Sequence, residues 1–122
     1  MSKTIMIVDD SATLRQVVVI ALKGAGYDVL EAGDGKEALS LLNGRKINLV
    51  VSDVNMPNMD GLTFVAEMKK LPAYRFTPVI MLTTEAGADK KSQGQAAGAK
   101  AWIVKPFQPQ QMLAAVAKLV MP

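Results

Sequence analysis

The sequence predicts a doubly wound α/β fold, a five-stranded parallel sheet with helices on both faces. Three observations carry that expectation. Strand-like and helix-like patterns alternate along all 122 residues, with no repeat, linker or low-complexity tract between them. The strand-like runs are continuously apolar and β-branched, as in strands covered on both sides. Such alternation dictates parallel strands joined by right-handed crossovers.

TIMIV, residues 4–8, is the first strand and ends on Asp9 and Asp10. Ser11 can cap the following helix, in which Leu14, Val17, Val18, Ala21 and Leu22 keep helical spacing. The VVVI run inside it would also suit a strand. A cap at one end and Gly24 with Gly26 at the other bracket about three turns, so helix is expected. DVLEA is the second strand. Asp34 and Glu37 in DGKEALSLL form a capping box, with Ala38, Leu41 and Leu42 on one face and Gly44 as the stop. INLVVSD is the third strand and ends on Asp53. After the turn-rich NMPNMDG, Leu62, Val65, Met68 and Leu71 repeat at helical spacing until Pro72 ends the element. PVIMLTT is the fourth strand. A helix near residues 88–97 holds Gly94 and few large apolar side chains, so it is marginal and a candidate moving part. AWIV is the fifth strand, followed by Lys105 and Pro106. Pro109 suits the first turn of a last helix carrying Met112, Leu113, Val116, Leu119 and Val120.

Composition narrows the chemistry. The chain contains no cysteine and no histidine. Disulfides, thiolate nucleophiles, Cys-based zinc sites and the usual general base near neutral pH are therefore excluded. Carboxylates, hydroxyls and lysines remain. The formal net charge is +3, but the basic residues are scattered along the chain, so no nucleic-acid partner is expected. The longest apolar stretch, around residues 17–22, falls far short of the ~20 residues that span a bilayer. No membrane partner and a cytoplasmic location are expected. The length suits one domain, residues 1–122.

In a doubly wound sheet every strand ends at one edge, where ligand sites form. Asp9, Asp10, Asp53, Thr83 and Lys105 all lie at such ends. Three carboxylates gathered there repel one another unless their protons are retained or a cation neutralises them. Oxygen ligands without histidine or cysteine favour a hard ion, and a shallow site suits Mg2+, which keeps water ligands. Asn55 could add a backbone carbonyl. A lysine and a hydroxyl beside such a metal are placed to grip phosphoryl oxygens while Asp53 attacks phosphorus, giving an aspartyl phosphate. Taken singly, each residue has a plainer reading: Asp9 and Asp10 as caps, Asp53 as a turn-former, Thr83 as a strand end, Lys105 as a solvated terminus, Trp102 as a packing residue. Their joint fall on four strand ends of one edge favours a site.

The segments VDDS, VVSDVNMPNMDG, MLTTE and VKPF, in this order and at these intervals, resemble the receiver domain of two-component response regulators, and within it the single-domain chemotaxis regulators. The resemblance covers essentially the whole chain and implies a (βα)5 flavodoxin-like receiver fold without an output domain. It makes Asp53 the phosphoacceptor and assigns Mg2+ to Asp9, Asp10, Asp53 and the carbonyl of Asn55. Lys105 would contact the phosphoryl group, and the Lys105–Pro106 bond would be cis. Thr83 would be the switch hydroxyl, and Asn55 and Glu85 would tune hydrolysis of the phosphoryl group. The donor implied is a histidine on a partner kinase of the CheA-like type. A flagellar motor switch protein or a phosphatase are the further partners implied, acting on a monomer. Such a domain is a signalling phosphoacceptor, not an enzyme, although it promotes its own phosphorylation and dephosphorylation.

The resemblance also implies that Trp102, three residues before the lysine, turns inward when Thr83 is drawn toward the phosphoryl group. Relatives commonly carry tyrosine or phenylalanine there, whereas indole is larger and only donates. The output surface would comprise the helix near 88–97, the AWIV strand and the last helix, where Lys118 is the only charge. A phosphate sink or relay intermediate is therefore an alternative to motor binding. A small aspartate-nucleophile phosphatase of the haloacid dehalogenase type wants DxDx(T/V), which VDDSAT does not supply. A nucleotide-binding protein wants a glycine-rich phosphate loop, which is absent.

Overall fold

The computed structural model describes residues 3–83 and 98–120. Their elements are β1 (Thr4–Val8), α1 (Ala12–Gly24), β2 (Asp28–Ala32), α2 (Gly35–Leu41), β3 (Leu49–Asp53), α3 (Gly61–Lys70), a 3-10 turn (Pro72–Tyr74), β4 (Val79–Thr83), β5 (Ala101–Val104) and α4 (Pro109–Leu119). The strands form one parallel sheet in the order β2-β1-β3-β4-β5.

Local chemistry starts the helices. The Ser11 hydroxyl accepts from the Leu14 N–H at 3.2 Å, and Asp34 and Asp60 do the same for Glu37 and Thr63 at 2.8 and 2.7 Å. Pro109 opens α4 at a position where its missing N–H costs nothing. The VVVI run is helical, as its flanking signals predict: Ser11 caps α1, and Gly26 takes φ +96° just beyond the end. Pro72 does more than stop α3, since it starts the 3-10 turn that leads into β4. β3 begins two residues later than the apolar pattern, because Asn48 engages Thr4 through both its side chain and its N–H, at 2.9 and 2.8 Å. The helix expected near 88–97, with Thr84 and Glu85 before it, lies outside the described residues.

Every residue of β3 and β4 is buried, which explains the apolar runs Leu49–Val51 and Val79–Leu82 that lead to the polar Ser52, Asp53 and Thr83. Alternation divides the core into two layers. Met6, Val8, Val50 and Met81 meet Ala38 of α2 and Phe64, Val65 and Met68 of α3. Ile5, Ile7, Val51, Ile80 and Leu82 meet Val18, Val19 and Leu22 of α1 and Met112 and Val116 of α4. β2 is an edge strand and exposes Asp28 and Glu31, charges that discourage further strand pairing. Among the described residues no helix is long and apolar enough to cross a membrane.

Candidate functional site

The carboxyl ends of β1 and β3 are neighbours, with Val8 in register with Ser52. The residues that follow each of these therefore stand side by side. Asp9 is fully buried and Asp53 is 7% exposed. Asp10, at the rim, is exposed. One carboxylate oxygen from each of the three lies within 4.8 Å of the others. From β5, Lys105 brings its ammonium to 3.0 Å from Asp53 Oδ2 and 3.3 Å from Asp9 Oδ2. One cation thus bridges two of the three acids, and burial pushes the Asp53 carboxyl up against the downward pull of Lys105, with Asp9 adding to the rise. Two buried acids and one exposed one, all oxygen donors open on one side, suit a hard divalent ion that keeps part of its water.

Each functional side chain is fixed by backbone around it. The Asp9 N–H donates to the Ala32 carbonyl at 3.0 Å, and its Oδ1 accepts from the Ser11 N–H at 2.9 Å. Arg15 donates from Nη1 to the Asp9 carbonyl at 2.6 Å and from Nε to Glu31 at 3.1 Å, clamping the turn after β1 to β2. Beyond Asp53 the Val54 N–H bonds to the Leu82 carbonyl at 3.0 Å, and the Gly61 N–H returns to the Val54 carbonyl at 2.7 Å. The loop between them carries Asn55, which is exposed, and Asn58 at φ +67°. The Asn58 amide donates to Asp34 at 2.8 Å, pinning this loop to the start of α2. The Glu37 N–H and then that amide hold the Asp34 carboxyl below its ordinary range.

Thr83, fully buried, ends β4 in register with Val104, and its carbonyl accepts the Lys105 N–H at 2.6 Å. The Lys105–Pro106 peptide is cis. Trp102 pairs with Met81, on the sheet face covered by α2 and α3, and its indole N–H is buried with no partner among the described residues. Beside Lys105 a cavity of about 380 Å³ opens between α1 and the start of α4, lined by Leu14, Val17, Phe107 and Pro109. The structure therefore brings together Asp9, Asp10, Asp53 and Lys105, and holds Thr83 one strand away. Glu85 lies outside the described residues. Sequence reasoning did not foresee Arg15 or the contact of Gly61 with Asp53. For Gly61 the signal was present in the MDG triplet; for Arg15 it was not.

A carboxylate cluster with a lysine thus lies at the carboxyl edge of a parallel sheet, the donor set of a doubly wound α/β protein whose strand ends carry its functional groups. The chain matches the family described as response regulator receiver domain over residues 5–117 and belongs to it. It is 42% identical to the chemotaxis response regulator CheY4 of Vibrio cholerae, with a TM-score of 0.94 over 98% of this chain and 100% of that one. It is 40% identical to a chemotaxis protein CheY homolog of Campylobacter jejuni over 87% of this chain and 83% of the relative. Protein PilG of Pseudomonas aeruginosa is 36% identical over 92% and 83%. The phosphate regulon transcriptional regulatory protein PhoB of the same organism is 38% identical over 92% of this chain, which spans only 49% of PhoB. As a receiver domain, the chain is a signalling domain.

Proposed function

We propose that this receiver domain takes a phosphoryl group on Asp53 from a histidine kinase and relays the signal through phosphorylation-dependent protein binding, within a chemotaxis system. The observation that carries the reading is the convergence of Lys105 on Asp53 and Asp9 beside exposed Asp10. Asp9, Asp10 and Asp53, with the Asn55 carbonyl, would hold Mg2+, which when bound neutralises charge on the phosphoryl oxygens. An Asp53 carboxylate oxygen attacks phosphorus, the P–O bond forms, the P–N bond to the donor histidine breaks, and the imidazole departs with its electron pair and takes up a proton. Lys105 supplies fixed positive charge to the oxygens in transfer. The apolar cavity beside Lys105 gives a partner's helix a surface close to the acceptor. Thr83 and Trp102 stand on adjacent strands behind the site, which favours them as the switch pair; Glu85 is proposed, with Asn55, to tune hydrolysis.

Chemotaxis is favoured by the CheY relatives, of which this chain covers 83% in the Campylobacter case. The last helix offers Lys118 as its single charge and so gives an acidic motor peptide little to grip. That observation favours a second reading, a phosphate sink or relay intermediate that leaves the motor unbound. The test is incubation with acetyl phosphate, with and without magnesium. Acid-stable, base-labile incorporation of one phosphoryl group that needs magnesium and disappears in Asp53→Asn is expected. Folded, magnesium-bound protein that takes up no phosphate would overturn the proposal. Phosphorylation-dependent capture of a flagellar switch protein separates the two readings.

A further inference from the structure

The fold sorts charges that the sequence scatters. In a parallel sheet all strands start at one edge, and the returning helices end there. The edge opposite the carboxylates receives Arg45 and Lys46 before β3, Lys69 in the last turn of α3, Arg75 before β4 and Lys100 before β5. All but Lys69 are exposed, and Lys69 is partly so. None of the five pairs with a carboxylate among the described residues.

Hydrogen bonds tie the segments carrying several of these cations to the turn that carries Phe76. Phe76 is 82% exposed, more than any other large apolar side chain described. The Lys69 ammonium donates to the carbonyl of Thr77, the next residue along. The Tyr74 hydroxyl accepts from the Gly44 N–H at 2.9 Å and donates to the Arg45 carbonyl at 2.8 Å, holding the α2–β3 loop beside the same turn. The Lys100 N–H reaches the Val79 carbonyl at 2.8 Å, three residues beyond Phe76. Burial, and then the charge of Lys100, push the Lys69 ammonium below the usual lysine range. Like charges are thus held close, and the acids of the same edge, Asp28 at the start of β2 and Glu67 paired with Lys70, form no ion pair with any of the five.

We infer that this edge docks on an anionic lipid surface, with Phe76 entering the headgroup layer and the exposed Arg45, Lys46, Arg75 and Lys100 facing the lipid phosphates. Exposed cations from separate loops at one sheet edge, together with a lone protruding ring, have the composition of an interfacial anchor. A single-stranded nucleic acid would call for a series of stacking aromatics along a charged track, and this edge offers one ring. A protein partner would call for a cluster of apolar anchors. The carboxylates sit at the other ends of the same strands, roughly 17 Å away for strands of this length. A negative surface repels that edge and attracts this one, so docking orients Asp53 outward, open to a phosphodonor. The docking itself does not depend on phosphorylation.

The test is co-sedimentation of the full chain with vesicles of phosphatidylcholine alone and of phosphatidylcholine mixed with phosphatidylglycerol, at low and high salt. Binding to the anionic vesicles only, released by salt, is expected. Arg75→Glu with Lys100→Glu should lower the partition coefficient by roughly a hundredfold, and Phe76→Ser by roughly tenfold. Both variants should keep the native circular dichroism and phosphate uptake. Absence of binding to anionic vesicles, or binding that both variants leave unchanged, overturns the inference. Tighter binding of an oligonucleotide or of polyglutamate than of anionic vesicles assigns the edge to another partner and overturns it too.

Discussion

A Cβ atom on Gly61 would lie 2.0 Å from the carbonyl oxygen of Asp53. Helix α3 therefore begins in backbone contact with the strand end that carries the central carboxylate, and no side chain fits between them. Gly61→Ala must push one backbone away from the other. A loss of about 1–3 kcal/mol in urea unfolding is expected, as for other overpacked sites, together with slower phosphate incorporation from acetyl phosphate. Gly24→Ala is the control: nothing lies within 4 Å of a Cβ there, and stability should hold or rise. Equal effects of the two substitutions would remove the steric account.

The Asp53 carboxyl titrates above its ordinary value because burial outweighs the pull of Lys105. A group raised in this way adds stability that is fully present below the unfolded pKa, about 4, and is lost as pH rises through the folded value. At pH near 7 the buried acid thus contributes less to folding than it does below pH about 4. Asp53→Asn should therefore raise the urea midpoint in chelator at neutral pH, and this advantage should fade as the pH falls through the raised value of the native chain and be gone by about pH 4. Magnesium should shift the balance back toward the native chain, which offers all three carboxylates to the ion. An unchanged or lower midpoint for Asp53→Asn at neutral pH in chelator contradicts this reading.

Much of the site was legible because its residues end apolar runs. Asp9 and Asp53 stand out in sequence because each ends an apolar run, and although either alone could be a cap or a turn-former, sheet topology brings the two together. Caps such as Ser11, Asp34 and Asp60 are local, and their signals are local too. What escaped depends on approach between distant segments. Arg15 reads as one polar residue of a helix, yet it reaches back to the Asp9 carbonyl and across to Glu31. Pro72 reads as a terminator, although the turn it opens presents Tyr74 to the α2–β3 loop and Phe76 to solvent. The basic edge is invisible along the chain because its members are up to 55 residues apart, from Arg45 to Lys100.

Arg15 holds the carbonyl of Asp9 while both carboxylates that follow β1 face the cation site. Removing the guanidinium frees that turn without touching a proposed ligand. Arg15→Ala is expected to weaken magnesium binding by about tenfold, the scale on which groups that orient ligands act. Glu31→Gln removes only the exposed arm of the clamp and should change binding little. Isothermal titration with magnesium measures both. Equal affinities for Arg15→Ala and the native chain would leave Arg15 with a packing role alone.

Trp102 is the natural reporter for any change behind the site, being the only tryptophan of the chain. Its partner in register is Met81, two residues before Thr83, so a shift of Thr83 is felt on the same sheet face. The indole N–H is buried without a partner among the described residues. A buried donor left unpaired costs on the order of 1–3 kcal/mol, so the side chain gains from any rearrangement that offers it an acceptor or water. Acetyl phosphate with magnesium should therefore change Trp102 emission and its quenching by acrylamide. The change should vanish in Asp53→Asn and shrink in Thr83→Ala, while Thr83→Ala still takes up phosphate. Trp102→Phe, which removes the unpaired donor but keeps an aromatic ring, should fold at least as stably as the native chain. Full phosphate uptake with no change in emission or quenching would make Trp102 a packing residue and place the switch elsewhere.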